Sequence, residues 1–274
     1  MPELPEVETS RRGISPHLVN QTIEKLIVRN GKLRWPVPRN LAKKVTGRRI
    51  TAIDRRAKYL LIRLDSGEGG TLVVHLGMSG SLRVVTGSEP HGSHDHVDLM
   101  CANGKVLRFN DPRRFGAWLW YDEADEDYEL LNHLGPEPLT DEFNGDYLFA
   151  QSRKKKQPVK HFIMSGPVVV GVGNIYANEA LFMAGIRPTR QAGRLTRQNC
   201  QQLVAHIKTV LTHTIEQGGT TLKDFVGSDG KPGYFKQELR VYGRQGESYV
   251  QCEATLKEIR MANRSSVYCP SCQS

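Results

Sequence analysis

At 274 residues the chain is long enough for two cores, and 38 Lys and Arg against 29 Asp and Glu leave a formal net charge of +9. That balance favours a polyanionic partner such as nucleic acid over a small acidic metabolite. No apolar run reaches the length of a membrane span, and the start lacks the charged-then-apolar order of a signal peptide, so a cytoplasmic location is expected. Five cysteines in so long a chain do not make a disulfide framework. Three of them, Cys252, Cys269 and Cys272, crowd into the tail and point to a metal site.

The first residues, Met-Pro-Glu-Leu-Pro-Glu-Val-Glu, carry distinctive chemistry. Removal of Met1 would make Pro2 the amino terminus, and an α-amino group, with a reference pKa of roughly 7.7–8.0, is partly neutral and nucleophilic near pH 7. Glu3 and Glu6 follow at helical i, i+3 spacing. An amine able to attack a sugar carbon, with a carboxyl group beside it, is the equipment of imine catalysis. The same residues also make an ordinary helix start.

The helix carries Val7, Ile14 and Leu18, and strands are predicted at 23–28, 49–53, 59–64 and 71–76, with turn-rich breaks such as 65–70. Segments 96–102 and 105–109 flank Asn103-Gly104, which predicts a hairpin with a two-residue turn of positive φ. Residues 1–130 therefore read as a β-sandwich or flattened barrel capped by the N-terminal helix.

From 131 the texture changes. Residues 134–139 read as a linker and 153–156 as a basic run, while Gly171-Val-Gly-Asn-Ile-Tyr176 leads into a helix whose free N–H groups suit a phosphate. Helical periodicity at 178–184 and 196–217, joined by a turn at 185–189, gives the order helix, two turns, helix. The glycine-rich segment 220–235 reads as a mobile binding loop. Cys269 and Cys272 form a Cys-x-x-Cys knuckle, but three positions before Cys252, where a two-knuckle zinc ribbon has its first cysteine, stands Tyr249. Glu247, Glu253 or water remain as a fourth ligand, and a metal-free β-hairpin is the alternative.

In combination and in order, PELPEVET, RRAKYLL (55–61), HLGMSGSL (75–82), HDHVDL (94–99), DPRRFG (111–116), LGPEPL, GVGNIYANEAL (171–181), GGTTLKDF, VYGRQG and YCPSCQ resemble bacterial formamidopyrimidine-DNA glycosylases from end to end. The resemblance implies an α+β protein of three parts: a catalytic N-terminal β-sandwich over 1–130, a linker and helix–two-turn–helix domain with a lesion-recognition loop over 131–235, and a zinc-finger-like hairpin over 236–274. It implies a monomer that holds double-stranded DNA containing oxidised bases or abasic sites between two lobes. The activity implied is removal of oxidised purines, 8-oxoguanine and formamidopyrimidines, through a Pro2 imine, with strand cleavage by β,δ-elimination.

By similarity Glu3 is the general acid at the sugar, Lys58 the proton donor in the first elimination, and Arg264 the donor in the second. His75, His94, Arg113, Lys155 and Asn174 are DNA contacts. Met78, Arg113 and Phe115 match a wedge that fills the hole left by a flipped nucleotide, the bland alternative for Met78 and Phe115 being core packing. Zn²⁺ is the implied cofactor, held by Cys252, Cys269 and Cys272. Besides Tyr249, the chain departs from the family at Ser165, where relatives usually have aspartate, and at Glu253, where a small residue is common. The rival functions are an oxidised-pyrimidine enzyme of endonuclease VIII type and an inactive damage-binding homologue; the second would be expected to lose Pro2, Glu3 or Lys58, and all three are present.

Overall fold

The computed structural model describes residues 2–65, 70–122, 128–218, 239–249 and 251–274. The expected loop at 220–235, the boundary at 235 and most of the break at 65–70 lie outside these residues. The chain is α+β and divides into two compact units, the first running through Asn132 and the second taking in His133–Glu216 and the described residues from Leu239 on. Among the described residues no helix is long and apolar enough to cross a membrane.

The first unit opens with α1 (Leu4–Leu18) and is otherwise mostly strand. One antiparallel sheet has the order β1 (Ile23–Val28), β6 (Asp95–Cys101), β7 (Lys105–Asn110), β5 (Ser81–Thr86). The other has the order β2 (Ile50–Arg56), β3 (Tyr59–Leu64), β4 (Thr71–His75), β8 (Ala117–Tyr121). Alternate side chains of both sheets meet in one core with α1: Val7, Ile14 and Leu18 bury against a set that includes Ile50, Ile62, Leu72, Val97, Leu107 and Trp118. A short helix, α2 (Leu41–Val45), adds Leu41 and Val45 to it, and α3 (Glu129–Asn132) closes the unit. Strands β5 and β8 are additions to the four single strands and one hairpin expected from the sequence.

The β6–β7 connection differs from expectation. The loop spans three residues, 102–104, and only Gly104 has positive φ (+75°), its N–H bonding to Cys101 O at 2.9 Å. An Asn-Gly pair serves such a loop equally well, because the single left-handed position falls on the glycine.

Helix α1 is attached to the sheets by charge as well as by packing. The buried Glu8 carboxylate accepts hydrogen bonds from Arg11 Nη2 at 2.8 Å, Arg12 Nε at 2.9 Å and, from β2, Arg55 Nε at 3.1 Å. Arg55 Nη1 then donates to Ala57 O at 3.0 Å, in the two-residue turn between β2 and β3. Ala57 has φ +53°, a left-handed conformation that a non-glycine residue holds only when its surroundings impose it.

The second unit consists of α4 (Gly145–Ser152), α5 (Val159–Ile163), α6 (Asn174–Met183), α7 (Arg197–Glu216) and a C-terminal hairpin of β9 (Lys257–Met261) and β10 (Arg264–Tyr268). Helix α4 starts with Asn144 Oδ1 accepting from Tyr147 N at 2.9 Å. The hairpin turn, Ala262-Asn263, has positive φ at both residues, the signature of a tight two-residue connection.

Burial raises the pKa of Glu8, but hydrogen bonds from Arg11 and Arg12 and the charges of Arg11 and Arg55 outweigh it and hold the carboxyl at about 2, below its ordinary 4.5. A depressed folded-state pKa stabilises the protein above the unfolded value and loses that stabilisation as pH falls from about 4.5 through about 2. Glu8→Gln is therefore expected to cost about 1.5–3 kcal/mol at neutral pH. In urea unfolding followed against pH, the gap between variant and unmodified protein should narrow across that acid window; a gap that stays constant down to pH 2 would contradict the assignment.

Candidate functional site

The start of α1 is built around Glu3. It is extended (φ −106°) and caps the helix in a box with Glu6, whose Oε2 accepts the Glu3 N–H at 2.7 Å. Pro2 is buried immediately before the cap, and Glu3 is 4% exposed. A carboxyl in such a place is screened from bulk water yet lies one residue from the expected amine. Lys58 occupies the second position of the β2–β3 turn and is half-buried. Through Glu8 and Arg55 the helix that carries Pro2 and Glu3 and the turn that carries Lys58 are held by the same charged cluster.

His75 ends β4, opposite Tyr59, with the two rings 4.9 Å apart. Burial and the positive charges of Lys58 and Arg34 push its pKa down to about 4, so the ring is neutral at pH 7. Its Nδ1 accepts the Gly77 N–H at 3.0 Å, which leaves the proton on Nε2. The ring is therefore a neutral donor beside two cations, suited to a phosphate oxygen.

Loop 76–80 and loop 111–116 are joined by a buried carboxylate. Asp111 Oδ1 accepts from Ser79 Oγ at 2.7 Å and Oδ2 from Gly116 N at 2.8 Å, while Ser79 Oγ accepts from Arg113 N at 3.2 Å. His96 Nε2 donates to Asp111 O at 2.9 Å. The loops approach so closely that a Cβ on Gly77 (φ +66°) would sit 2.3 Å from the carbonyl carbon of Phe115. This frame presents Met78, half-buried, with Arg113 and Phe115 exposed. Phe115 is 41% exposed, which sets aside core packing, and the Arg113 guanidinium lies 4.9 Å from its ring centre. His94 is also exposed and lies at the mouth of β6.

In the second unit Asn174 is the first residue of α6, after Gly171 (φ +76°) and the extended Gly173, so the free N–H groups of a helix start surround it. Lys155 is exposed in the loop between α4 and α5, with its carbonyl accepting from Gly193 N at 2.9 Å. Ser165 follows α5, and its carbonyl accepts from Val168 N at 2.9 Å and Val169 N at 3.2 Å, so the main chain itself turns the link toward Gly171.

Arg264 is exposed at the first position of β10. The strand behind it is anchored by two residues that the sequence gives no reason to single out. Lys160, 1% exposed on α5, donates from Nζ to Ser265 O at 2.7 Å and Ser266 Oγ at 2.6 Å, and Asn178 Oδ1 on α6 accepts from Val267 N at 2.8 Å. A third such residue is the buried Glu179, which accepts the N–H groups of Arg240, Val241 and Tyr242 at 2.8–3.0 Å.

The Sγ atoms of Cys252, Cys269 and Cys272 lie within 4.8 Å of one another, and among the described residues no histidine or carboxylate joins them. Cys272 N donates to Cys269 Sγ at 3.4 Å, the contact expected inside a metal knuckle. Tyr249 points into an apolar cluster with Val241, Leu256 and Val267, its ring edge-on to Phe182 at 4.8 Å. The chain around it still bends as a knuckle does, with Tyr249 O accepting from Glu253 N at 2.8 Å and Cys252 N at 3.3 Å. Glu253 occupies the left-handed corner at φ +59°, which explains why a small residue is favoured there.

A buried proline–glutamate helix start tied through Glu8 and Arg55 to a lysine turn, an exposed aromatic and arginine on a rigid loop, and a glycine-led helix start are the parts of a DNA glycosylase of the helix–two-turn–helix class. The family models for the formamidopyrimidine-DNA glycosylase N-terminal domain and H2TH domain match residues 1–118 and 134–226. A formamidopyrimidine-DNA glycosylase of Marinobacter nauticus is 58% identical over 273 residues, covering 100% of both chains. Among solved structures, the Lactococcus lactis Fpg in complex with DNA containing an abasic site is 32% identical, covers 100% of both chains and superposes with a TM-score of 0.91. A complex of a Lactococcus lactis mutant with DNA containing Fapy-dG gives the same TM-score, 0.91. The chain belongs to the formamidopyrimidine-DNA glycosylase family, the bifunctional glycosylases and abasic-site lyases of base excision repair.

The Asp111 frame can be tested directly. Asp111→Ala leaves the Ser79 hydroxyl and the Gly116 N–H without their acceptor, a loss of about 1–3 kcal/mol for each buried group so stranded. A lowered thermal midpoint and weaker binding to damaged duplex are expected, and unchanged binding would show that the frame does not set the wedge.

Proposed function

We propose that the chain binds duplex DNA, flips an oxidised purine out of the stack and removes it through a covalent imine on Pro2. The observation that carries this reading is the buried Pro2–Glu3 start of α1, held by Glu8 and Arg55 to the turn that bears Lys58. The free secondary amine of Pro2 forms a bond to C1′ of the sugar, and the glycosidic bond breaks with its electron pair leaving on the base. Glu3 supplies the proton at the sugar that opens the ring. Because the nitrogen is secondary, the product is a charged iminium with no N–H to lose. Its charge acidifies C2′, which loses a proton to water as the C3′–O bond breaks and the 3′ phosphate departs with that electron pair, with Lys58 as proton donor; a second elimination, in which C4′ loses a proton to water and the C5′–O bond breaks, releases the 5′ phosphate with Arg264 as donor. His94, Arg113, Lys155, Asn174 and neutral His75 hold the backbone, and Met78, Arg113 and Phe115 fill the vacated stack.

We assign these tasks to three regions: the catalytic sandwich at 1–130, the helix–two-turn–helix region at 131–235 and the finger at 236–274. Three converging soft donors suit zinc, which Cys252, Cys269 and Cys272 would hold with water in the fourth place. Held there, the ion would supply a structural cross-link between Cys252 and the Cys269–Cys272 knuckle.

Borohydride trapping on duplexes carrying 8-oxoguanine tests the chemistry. Pro2→Gly is expected to bind duplex nearly as well as the unmodified protein but to lose trapping, and Glu3→Gln to slow base release by roughly 10²–10⁴-fold. A trapped peptide that mapped to Lys58 in the unmodified protein would overturn the role of Pro2.

For the metal, we expect less than one zinc per chain after mild chelation, because one of the four thiolates of a complete site is missing. Tyr249→Cys should raise the content to one equivalent that resists the chelator. A full equivalent that survives strong chelator in the unmodified protein would refute this reading.

A further inference from the structure

Arg34 is a cation that the roles above leave unused. It lies on the segment after β1, whose path is fixed by the buried side chains of Leu33 and Val37 in the core and by a hydrogen bond from Val37 N to Gly31 O at 3.0 Å. Its own N–H donates to Gly116 O at 3.2 Å. Gly116 directly follows Phe115, its N–H is held by Asp111, and its Cα abuts the carbonyl of His75, which a Cβ there would approach to 2.8 Å. The Arg34 backbone is thus fastened where the wedge loop and the His75 strand meet.

The side chain is exposed, and its guanidinium lies 4.8 Å from the ring centre of the half-buried Trp35. Among the described residues no carboxylate pairs with it. Lys58 and Arg34 both act on the His75 ring through their charge and depress its basicity. Cations gathered round a neutral imidazole, with no acidic partner for the guanidinium, repel one another in the free protein. An anion placed among them relieves that repulsion, and a guanidinium fork matches two oxygens of one phosphate.

We propose that Arg34 binds a phosphodiester of the DNA beside the nucleotide gap filled by Phe115, forming one anion-binding group with Lys58 and His75. This rests on the reading of that face as the DNA-binding surface. The aromatic ring under the guanidinium limits its rotamers, so little order is lost when the phosphate arrives.

The test is binding of a duplex with a tetrahydrofuran abasic-site analogue, measured by fluorescence anisotropy across a salt series. Arg34→Ala should raise Kd roughly tenfold at moderate salt, the scale of one charged hydrogen-bonding contact. It should also reduce the slope of log K against log salt by about 0.9, one phosphate's share. Arg34→Lys should keep the slope while losing part of the affinity, and Arg34→Gln should behave as the alanine variant. In the free protein, NMR titration should show the His75 pKa rising in Arg34→Ala and Arg34→Gln but not in Arg34→Lys, a change that a merely structural role would not give. Unchanged affinity and slope in Arg34→Ala, with a reduced slope in Lys58→Ala, would overturn the proposal and leave the reading of the face intact. If none of the variants alters the slope, the proposal and that reading both fail.

Discussion

The chemistry proposed for this protein depends on the placement of one helix start, which a carboxylate outside that chemistry holds. Helix α1 carries the expected nucleophile and acid at its very first turn, and helix starts fray unless something holds them. Glu8 lies little more than one turn further on and gathers Arg11, Arg12 and Arg55, while Arg11 Nη1 reaches Ile53 O at 3.3 Å. Because Arg55 also grips the carbonyl of Ala57, one charged group fixes both the helix and the strained turn that presents Lys58. The apolar face of α1 sets the depth at which the helix sits, whereas Glu8 sets its position along the strands. Hydrophobic burial alone is non-directional and would leave that freedom open.

A second consequence of charge placement appears at His75. Lys58 and Arg34 already supply positive charge to His75, and burial makes a further charge there costly, so the ring proposed as a DNA contact is neutral. The ring contributes direction instead. With Nδ1 occupied by Gly77, the Nε2 proton has one orientation, and a neutral donor adds no term to the salt dependence of binding.

Much of the fold was legible because local signals and tertiary packing agreed. Short β-type segments bounded by turn-rich breaks marked β1, β3 and β4 to within a residue, and the glycines at 171–173 marked the start of α6, although the helix begins at Asn174 rather than at 178. No strand was expected at β5, which follows directly on Gly77 and Gly80, or at β8, which follows directly on Gly116. Helices α4 and α5 are too short for periodicity to reveal. Most of the proposed site residues were named from motifs, but their supports were not. Lys160 and Ser265 are separated by 105 positions and Glu179 and Arg240 by 61, and nothing local distinguishes a buried, fully partnered lysine from its solvated neighbours in a basic stretch. Such groups become recognisable only when the fold brings their partners together.

Those supports also bear on the missing thiolate. Arg264 lies between Cys252 and the closing knuckle, so its aim depends on whatever holds those two strands together, and Tyr249 in place of a thiolate is expected to preserve the hairpin in part by apolar packing. The hydrogen bonds give a different dependence. The three residues after Arg264 are each fixed from outside the hairpin, Ser265 and Ser266 by Lys160 and Val267 by Asn178, and the ammonium of Lys160 is anchored in a helix buried in its own unit. Tyr249 meanwhile replaces a metal bond with apolar packing on Phe182, a residue of the same α6 that carries Asn178. The base of β10 is thus referred to α5 and α6 through contacts that need no metal. A weakened site would loosen the exposed corner at Cys272 first, while the strand that carries Arg264 keeps its register.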